Sequence, residues 1–394
     1  MRINRIAACM MTAVLAAGLI AGCGESAENA STLPNLWSSI PDDAWPAPPE
    51  QEEPEQQAEA DIPEGMYLSE LTNEPIDESL KDQRPAAFMI DNDSRALPHF
   101  GIQNADVIYE LMNSTANNRI TRLMCLFKDW EAIEKVGSIR SVRPTNIILA
   151  SEWNAFLCHD GGPFYIDEYF AKGYMDHFSG TFSRVSNGKS LEFTEFCLTG
   201  DLDKNFNNNP SVSRTYNSYK PSDETHFNFV PYGTETELSD KEGAIPCTEI
   251  SFPFYNSSSK LVYNEDTKTY DYWEYGAVSE DGQTGDRVTF KNAIVQDCSF
   301  HQYDDNGYMI YNVIQSNQPG YYLTDGYAIP ITWTKEGENE ITRFYDVDNN
   351  EIQINTGKTY VTLIPSDTWS EVSLSGGDEA ETDSGNAENA SAGT

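Results

Sequence analysis

The first 23 residues decide which part of this chain is free to fold. Arg2 and Arg5 form a short cationic start, residues 6–20 are apolar apart from Thr12, and Ile20-Ala21-Gly22-Cys23 closes the run. About 15 apolar residues fall short of the roughly 20 that a bilayer-spanning helix needs, yet suit a secretory signal. Small residues followed directly by cysteine read as the processing site of a bacterial lipoprotein. The expectation is a signal over residues 1–22 and acylation, by palmitate or a similar chain, on the Cys23 thiol. The body would then sit at the extracytoplasmic face of the cell membrane. More than one acyl chain anchors durably, so such a protein needs no other membrane segment. The alternative is an ordinary secreted protein whose Cys23 is incidental.

Residues 24–65 contain seven prolines and eleven acidic residues but neither Lys nor Arg. Such a stretch has little to bury and repels itself, so residues 23–65 are expected to form an extended, disordered tether. Trp37 and Trp45 are its only large aromatics. Residues 375–394, rich in Gly, Ser, Asp, Glu and Asn, read as a disordered acidic tail. That leaves residues 66–374 for folded structure. The whole chain carries 25 Lys+Arg against 63 Asp+Glu, a net charge of −38. That balance argues against nucleic acid as a partner, because phosphate backbones need a cationic face. It argues equally against a polybasic lipid-docking patch.

Five cysteines remain in the body: Cys125, Cys158, Cys197, Cys247 and Cys298. None has CxxC spacing, and Cys125 and Cys158 lie in apolar runs. Most are expected to be buried small hydrophobes with at most one or two disulfides, without a thiolate metal site. Residues 86–90, 106–112, 123–127 and 155–158 are short apolar runs bounded by polar turns, as strands buried on both faces would be. Residues 144–154 suit a helix opened by Pro144. From about residue 248 the texture becomes β: runs 308–314, 320–323 and 359–365 are separated by turn clusters such as Asp304-Asp305-Asn306-Gly307. The fold class is therefore α+β or α/β, with an N-terminal mixed sheet with helices over residues 66–247. A mostly antiparallel β region follows over 248–374. Residues 200–222 read as a long exposed loop. Trp273, Trp333, Tyr321 and Tyr322 suit either cross-strand pairs or a sugar platform, the former being the default.

Several blocks now carry a resemblance. Met89-Ile90-Asp91-Asn92, Ala105-Asp106-Val107-Ile108-Tyr109-Glu110, Ile120-Thr121-Arg122, the segment Val136-Gly137-Ser138-Ile139-Arg140-Ser141-Val142-Arg143-Pro144 and His159-Asp160-Gly161-Gly162 occur in that order. The second half adds Lys291-Asn292-Ala293-Ile294-Val295-Gln296, Tyr322-Leu323-Thr324-Asp325-Gly326, Thr332-Trp333 and Thr342-Arg343-Phe344-Tyr345-Asp346. Together they resemble the YerB-like bacterial lipoproteins, which implies a two-part extracytoplasmic lipoprotein and brings no known reaction. Arg95-Ala96-Leu97-Pro98-His99 is a looser version of the family's Arg-Pro-rich turn, and Tyr216-Asn217 stands where members often show His-Asn.

Chemistry can be sought in two places. Arg140 and Arg143 flank Ser141 just before the expected helix, where free backbone N–H groups, a helix dipole and two guanidinium forks suit phosphate, sulfate or carboxylate. The same arginines would equally serve to neutralise Asp91, Asp106 and Glu110. His159, with Gly161 and Gly162, follows a buried strand, where open α/β sheets place ligands. No GxSxG, HExxH, GxxxxGK[ST] or GxGxxG occurs. The five histidines are not spaced for zinc, and Asp346-Val347-Asp348-Asn349-Asn350 departs from a calcium loop at its glycine position. No metal or cofactor is expected. Two functions remain open. One is a binding lipoprotein that holds an anionic envelope component or a partner protein through Arg122, Arg140, Ser141, Arg143, Gly161 and Gly162. The other is an envelope hydrolase or transferase in which His159 works with Asp91 or Glu110 while the arginines stabilise developing charge. The sequence leaves oligomeric state open.

Overall fold

Ala86–Asp91 (β1), Val107–Met112 (β2), Thr121–Phe127 (β3) and Phe156–His159 (β4) are buried at every position. That is what apolar runs without alternation require of strands covered on both faces. Phe88, Met89 and Ile90 are among the wholly inaccessible residues, each worth about 1.5–3 kcal/mol of burial. The computed structural model describes residues 60–221 and 225–376. The expected signal, Cys23, Trp37, Trp45, the tether up to residue 59 and the tail from residue 377 lie outside those residues. Residues 60–65 follow the body, with Ala60 N donating to Tyr232 O at 2.8 Å.

The first four strands join seven others: His177–Ser179 (β5), Ile245–Pro246 (β6), Asn292–Cys298 (β7), Gln318–Thr324 (β8), Tyr327–Thr334 (β9), Arg343–Tyr345 (β10) and Thr359–Pro365 (β11). The strand order is β6-β9-β8-β7-β11-β2-β3-β1-β4-β5, with β10 also on β9. β11 runs parallel to β7 on one side and to β2 on the other, with Thr359 opposite both Asn292 and Val107. A strand near the end of the chain thus stitches the two sequence halves into one sheet. On the β3 side the sheet is mixed, β3 antiparallel to β1 and β2 while β4 is parallel to β1 and β5; on the β8 side it is antiparallel. A second, six-stranded antiparallel sheet includes Glu249–Ser251, Lys260–Asn264, Thr269–Glu274 and Ser373–Ser375. The architecture is α+β, as the residue patterns imply.

Pro144–Ser151 (α1) precedes β4, and all eight of its residues are buried. It stops short of residue 154 because Asn154 takes a left-handed backbone (φ 51°). The reading of residues 200–222 as an exposed loop is corrected: Asp201–Asn208 (α2) is a helix. Leu202 and Phe206, four residues apart, bury one face, and Phe206 packs on Trp130, Phe156 and Phe178. Its N-terminus is fastened by Asp201, whose carboxylate accepts from Leu198 N and Ser183 N. The run at 308–314 contributes only Met309–Tyr311, paired with Phe300–Gln302. Tyr322 and Trp333 are buried and offer no platform. All five body cysteines are buried free thiols. Among the described residues no helix is long and apolar enough to cross a membrane.

Candidate functional site

The segment between Ser138 and Pro144 crosses the end of the sheet where β1 and β3 meet. Arg140 N donates to Met89 O, and Asp160 N donates to Arg140 O, tying the segment to β1 and to the turn after β4. Three guanidinium groups gather there, close enough for Arg140 to lower the proton affinity of both Arg122 and Arg143. Arg140 is half-buried and doubly paired, through Nε to Asp91 Oδ2 at 2.9 Å and through Nη2 to Glu192. Asp91 therefore serves Arg140.

Arg122 and Arg143 are different. They are only 7% and 4% exposed, yet neither forms an ion pair among the described residues. Arg122 spends Nη1 on Ser141 O at 2.7 Å, Ser141 Oγ at 3.1 Å and Asn113 Oδ1 at 3.3 Å. Arg143 donates Nη1 to Val142 O at 2.9 Å and lies 4.0 Å from the Tyr308 ring centroid. The Nε of each is buried without an acceptor, as are Asn146 Nδ2 in the first turn of α1 and the Tyr165 hydroxyl. Burial pulls Arg122 down to about 9, with Arg143 and Arg140 adding to the effect against the attraction of Asp91. Arg143 is lowered for the same first reason. Buried donors are ordinarily satisfied, and an unpaired buried charge costs several kcal/mol. Here the positive groups stand in excess at the N-terminus of a buried helix, where an anion is favoured.

His159 stands nearby and is not poised for proton transfer to a carboxylate. Its Nδ1 lies 2.8 Å from Gly161 O and its Nε2 2.9 Å from His177 Nδ1. Burial lowers it to about 4, so the ring is neutral at pH 7. Gly161 is exposed, takes φ +69° and has open space where a Cβ would stand; its N–H binds Ser179 Oγ and its carbonyl also accepts Val142 N. Gly162 serves packing, since a Cβ there would lie 2.4 Å from Ile166 Cδ1 and 3.1 Å from Val142 O. Asp160 and Glu195 share Arg184, whose Nη2 is 2.7 Å from each carboxylate. Burial and the neighbouring Asp160 raise Glu195 to about 7.

Glu110 lies elsewhere, wholly buried between the two sheets. Its Oε1 accepts from Asn92, Thr121, Ser257 and Ser259, and its Oε2 from Tyr272 and Tyr360, at 2.6–3.3 Å. No cation pairs with it among the described residues, and burial raises its carboxyl. Its six donors come from both sequence halves, so it acts as a polar rivet of the core. Glu152 is its charged counterpart, bonded to Lys335 at 2.9 Å with both side chains fully buried.

The structure therefore brings Arg122, Arg140, Ser141 and Arg143 together with the Gly161 turn, with Asp91 at their edge. It leaves Glu110 in the core and turns His159 towards His177. Sequence reasoning missed Asn146, Tyr165 and Tyr308. Asn146, three residues after Arg143, accepts from Arg143 N at 3.1 Å and could have been read as a helix-start residue. Tyr308 left no local signal, because the other half of the chain supplies it. Among the described residues no three His, Cys, Asp or Glu side chains are grouped to hold a metal ion.

Comparison with known proteins gives four matches. Residues 71–212 match the family described as "Protein of unknown function (DUF3048) N-terminal domain", and residues 249–361 its "C-terminal domain". The Bacillus subtilis (strain 168) protein named "Putative lipoprotein YerB" is 22% identical over 312 residues, covering 75% of this chain and 85% of that one. The crystal structure of the YerB protein from Bacillus subtilis superposes with a TM-score of 0.65 at 18% identity, covering 78% of this chain and 99% of the other.

Proposed function

The chain belongs to the YerB-like two-domain family, and from that premise we propose that it is a membrane-anchored lipoprotein whose body binds an anionic ligand of the cell envelope at the N-terminus of α1. Cys23 carries the lipid, residues 1–22 are removed, and residues 24–59 hold the body away from the membrane. The lipobox pattern and the name of the Bacillus subtilis relative support the anchoring.

One observation carries the ligand reading. Among the described residues Arg122 and Arg143 are buried cations in no ion pair, and with Asn146 and Tyr165 they leave four buried donors unmet around one helix start. A carboxylate, phosphate or sulfate would supply the missing negative charge and acceptors. Arg140, Ser141 and the exposed Gly161 form the rim by which it enters. The alternative enzyme is less well supported, because both nitrogens of His159 are engaged by groups other than carboxylates.

The test is thermal unfolding of the purified chain in sulfate, phosphate or chloride at matched ionic strength. Sulfate and phosphate stabilise folded chains in general, and a ligand at 100 times its Kd adds about 2.7 kcal/mol, so the oxyanion rise in Tm over chloride should be larger in the native chain than after Arg122→Met with Arg143→Met. A rise of equal size in both chains would contradict the reading. Metabolic labelling with a fatty-acid probe, lost in Cys23→Ala, tests the anchor.

A further inference from the structure

We propose that the bound anion is a substituent of a saccharide whose ring rests on an aromatic shelf, the exposed rings of Phe164 and Tyr303, which flank the buried Tyr165. This deepens the anion-binding reading of the arginine site and rests on it.

The shelf adjoins Arg143. Phe164 follows the Gly161-Gly162 turn by two residues and is 84% exposed, the most exposed large apolar side chain among the described residues. The tight seat of Gly162 against Ile166 and Val142 fixes that turn beside the arginine segment. The Phe164 and Tyr165 rings meet edge-on at 5.5 Å, and Tyr165 lies 3.9 Å from Tyr303. Tyr303, itself 41% exposed, comes from the same hairpin as Tyr308, on which Arg143 stacks. Tyr165 is near enough to Arg143 for their charges to interact, and its buried hydroxyl has no partner. Tyr165, 4% exposed, thus links the buried cation to the two exposed rings, and both halves of the chain contribute.

Solitary exposed apolar residues need no explanation, but a contiguous aromatic shelf next to unpaired guanidinium groups has a chemical reading. The exposed rings of Phe164 and Tyr303 suit the C–H face of a pyranose, whose hydroxyls stay in water. A planar base would gain more from aromatic faces on both sides, and the single-sided shelf does not provide them. The net charge of −38 disfavours long polyanions, so a mostly neutral sugar with one carboxylate or phosphate fits best.

The test titrates the full chain in detergent micelles with four probes: N-acetylmuramic acid, N-acetylglucosamine, lactate and uridine monophosphate. The first is the second bearing a lactyl carboxylate. It should bind at least tenfold tighter than N-acetylglucosamine, lactate or the nucleotide. Phe164→Ala with Tyr303→Ala should remove that advantage over lactate while lactate binding and the circular dichroism spectrum stay unchanged. If lactate matches N-acetylmuramic acid, or the shelf variants leave both affinities alone, the saccharide is wrong and the anion site stands. If the nucleotide binds tightest, the ligand class is wrong. If neither the probes nor the sulfate and phosphate salts bind, the anion site falls, and the saccharide with it.

Discussion

Replacing Arg143 by methionine separates a binding arginine from a structural one. The side chain is 4% exposed and its guanidinium makes one protein hydrogen bond, to Val142 O, plus the Tyr308 stack. Losing a charged hydrogen bond costs about 1.5–3 kcal/mol and losing the stack about 0.5–2 kcal/mol. Against that, removing a buried unpaired cation recovers a desolvation penalty of several kcal/mol, and methionine fills similar volume. The expected net change runs from zero to about 2 kcal/mol of added stability. For a body of this size that is a Tm rise of up to about 4 °C. Arg84 is the control. It is fully buried, pairs with Asp176 and donates to Asn154 O, Ser213 O and Ala155 O. Arg84→Met strands Asp176 and three carbonyls and should lose about 3–5 kcal/mol, or roughly 6–10 °C. Differential scanning calorimetry in chloride reads both. A loss above about 2 kcal/mol in Arg143→Met would mean that Arg143 is a structural pair, and the argument from unmet donors would fail.

Three further outcomes follow from the same geometry. Glu110→Ala should cost about 4 kcal/mol in urea unfolding, because the Tyr272 and Tyr360 hydroxyls lose their acceptor in a dry core; a cost below about 1 kcal/mol would refute its role as rivet. Glu195 is raised to about 7 when folded, so the folded state holds a proton that the unfolded chain releases near 4.5. Its contribution to stability is complete below pH 4.5 and is lost as pH rises to about 7; Glu195→Gln should flatten Tm over that window, and an unchanged slope would count against the assignment. Gly162→Ala should destabilise by about 1–3 kcal/mol through its clash with Ile166. Gly161→Ala, with open space but a positive φ, should cost about 1 kcal/mol, and the reverse order would contradict the packing.

Much of the β framework was legible because fully buried strands are mostly apolar runs: residues 86–90, 106–112 and 123–127 need no partner information to be recognised, even with Glu110 inside the second. The helix at Pro144 announced itself through proline at its first position. α2 was obscured because only Leu202 and Phe206 mark its buried face among polar residues. The arginine site was half legible. Arg140 and Arg143, just before a helix start, stood out in a cation-poor chain with Arg122 as a further candidate, but sequence could not say which was already neutralised. That depended on Asp91 and Glu192 reaching Arg140 and, among the described residues, no carboxylate forming an ion pair with Arg122 or Arg143.

Local composition, then, specified the cation-free flanks and most of the strand positions and carries the expectation of a lipoprotein signal, since each depends on a residue and its near neighbours. Tertiary structure alone decided that β11 joins the two halves, that Glu110 is held by donors from both, and that Tyr303 and Tyr308 stand beside Arg143. Those outcomes arise from contacts across more than a hundred residues of chain. Strand order and the matching of buried charges are properties of the packed whole, which no short stretch of sequence encodes.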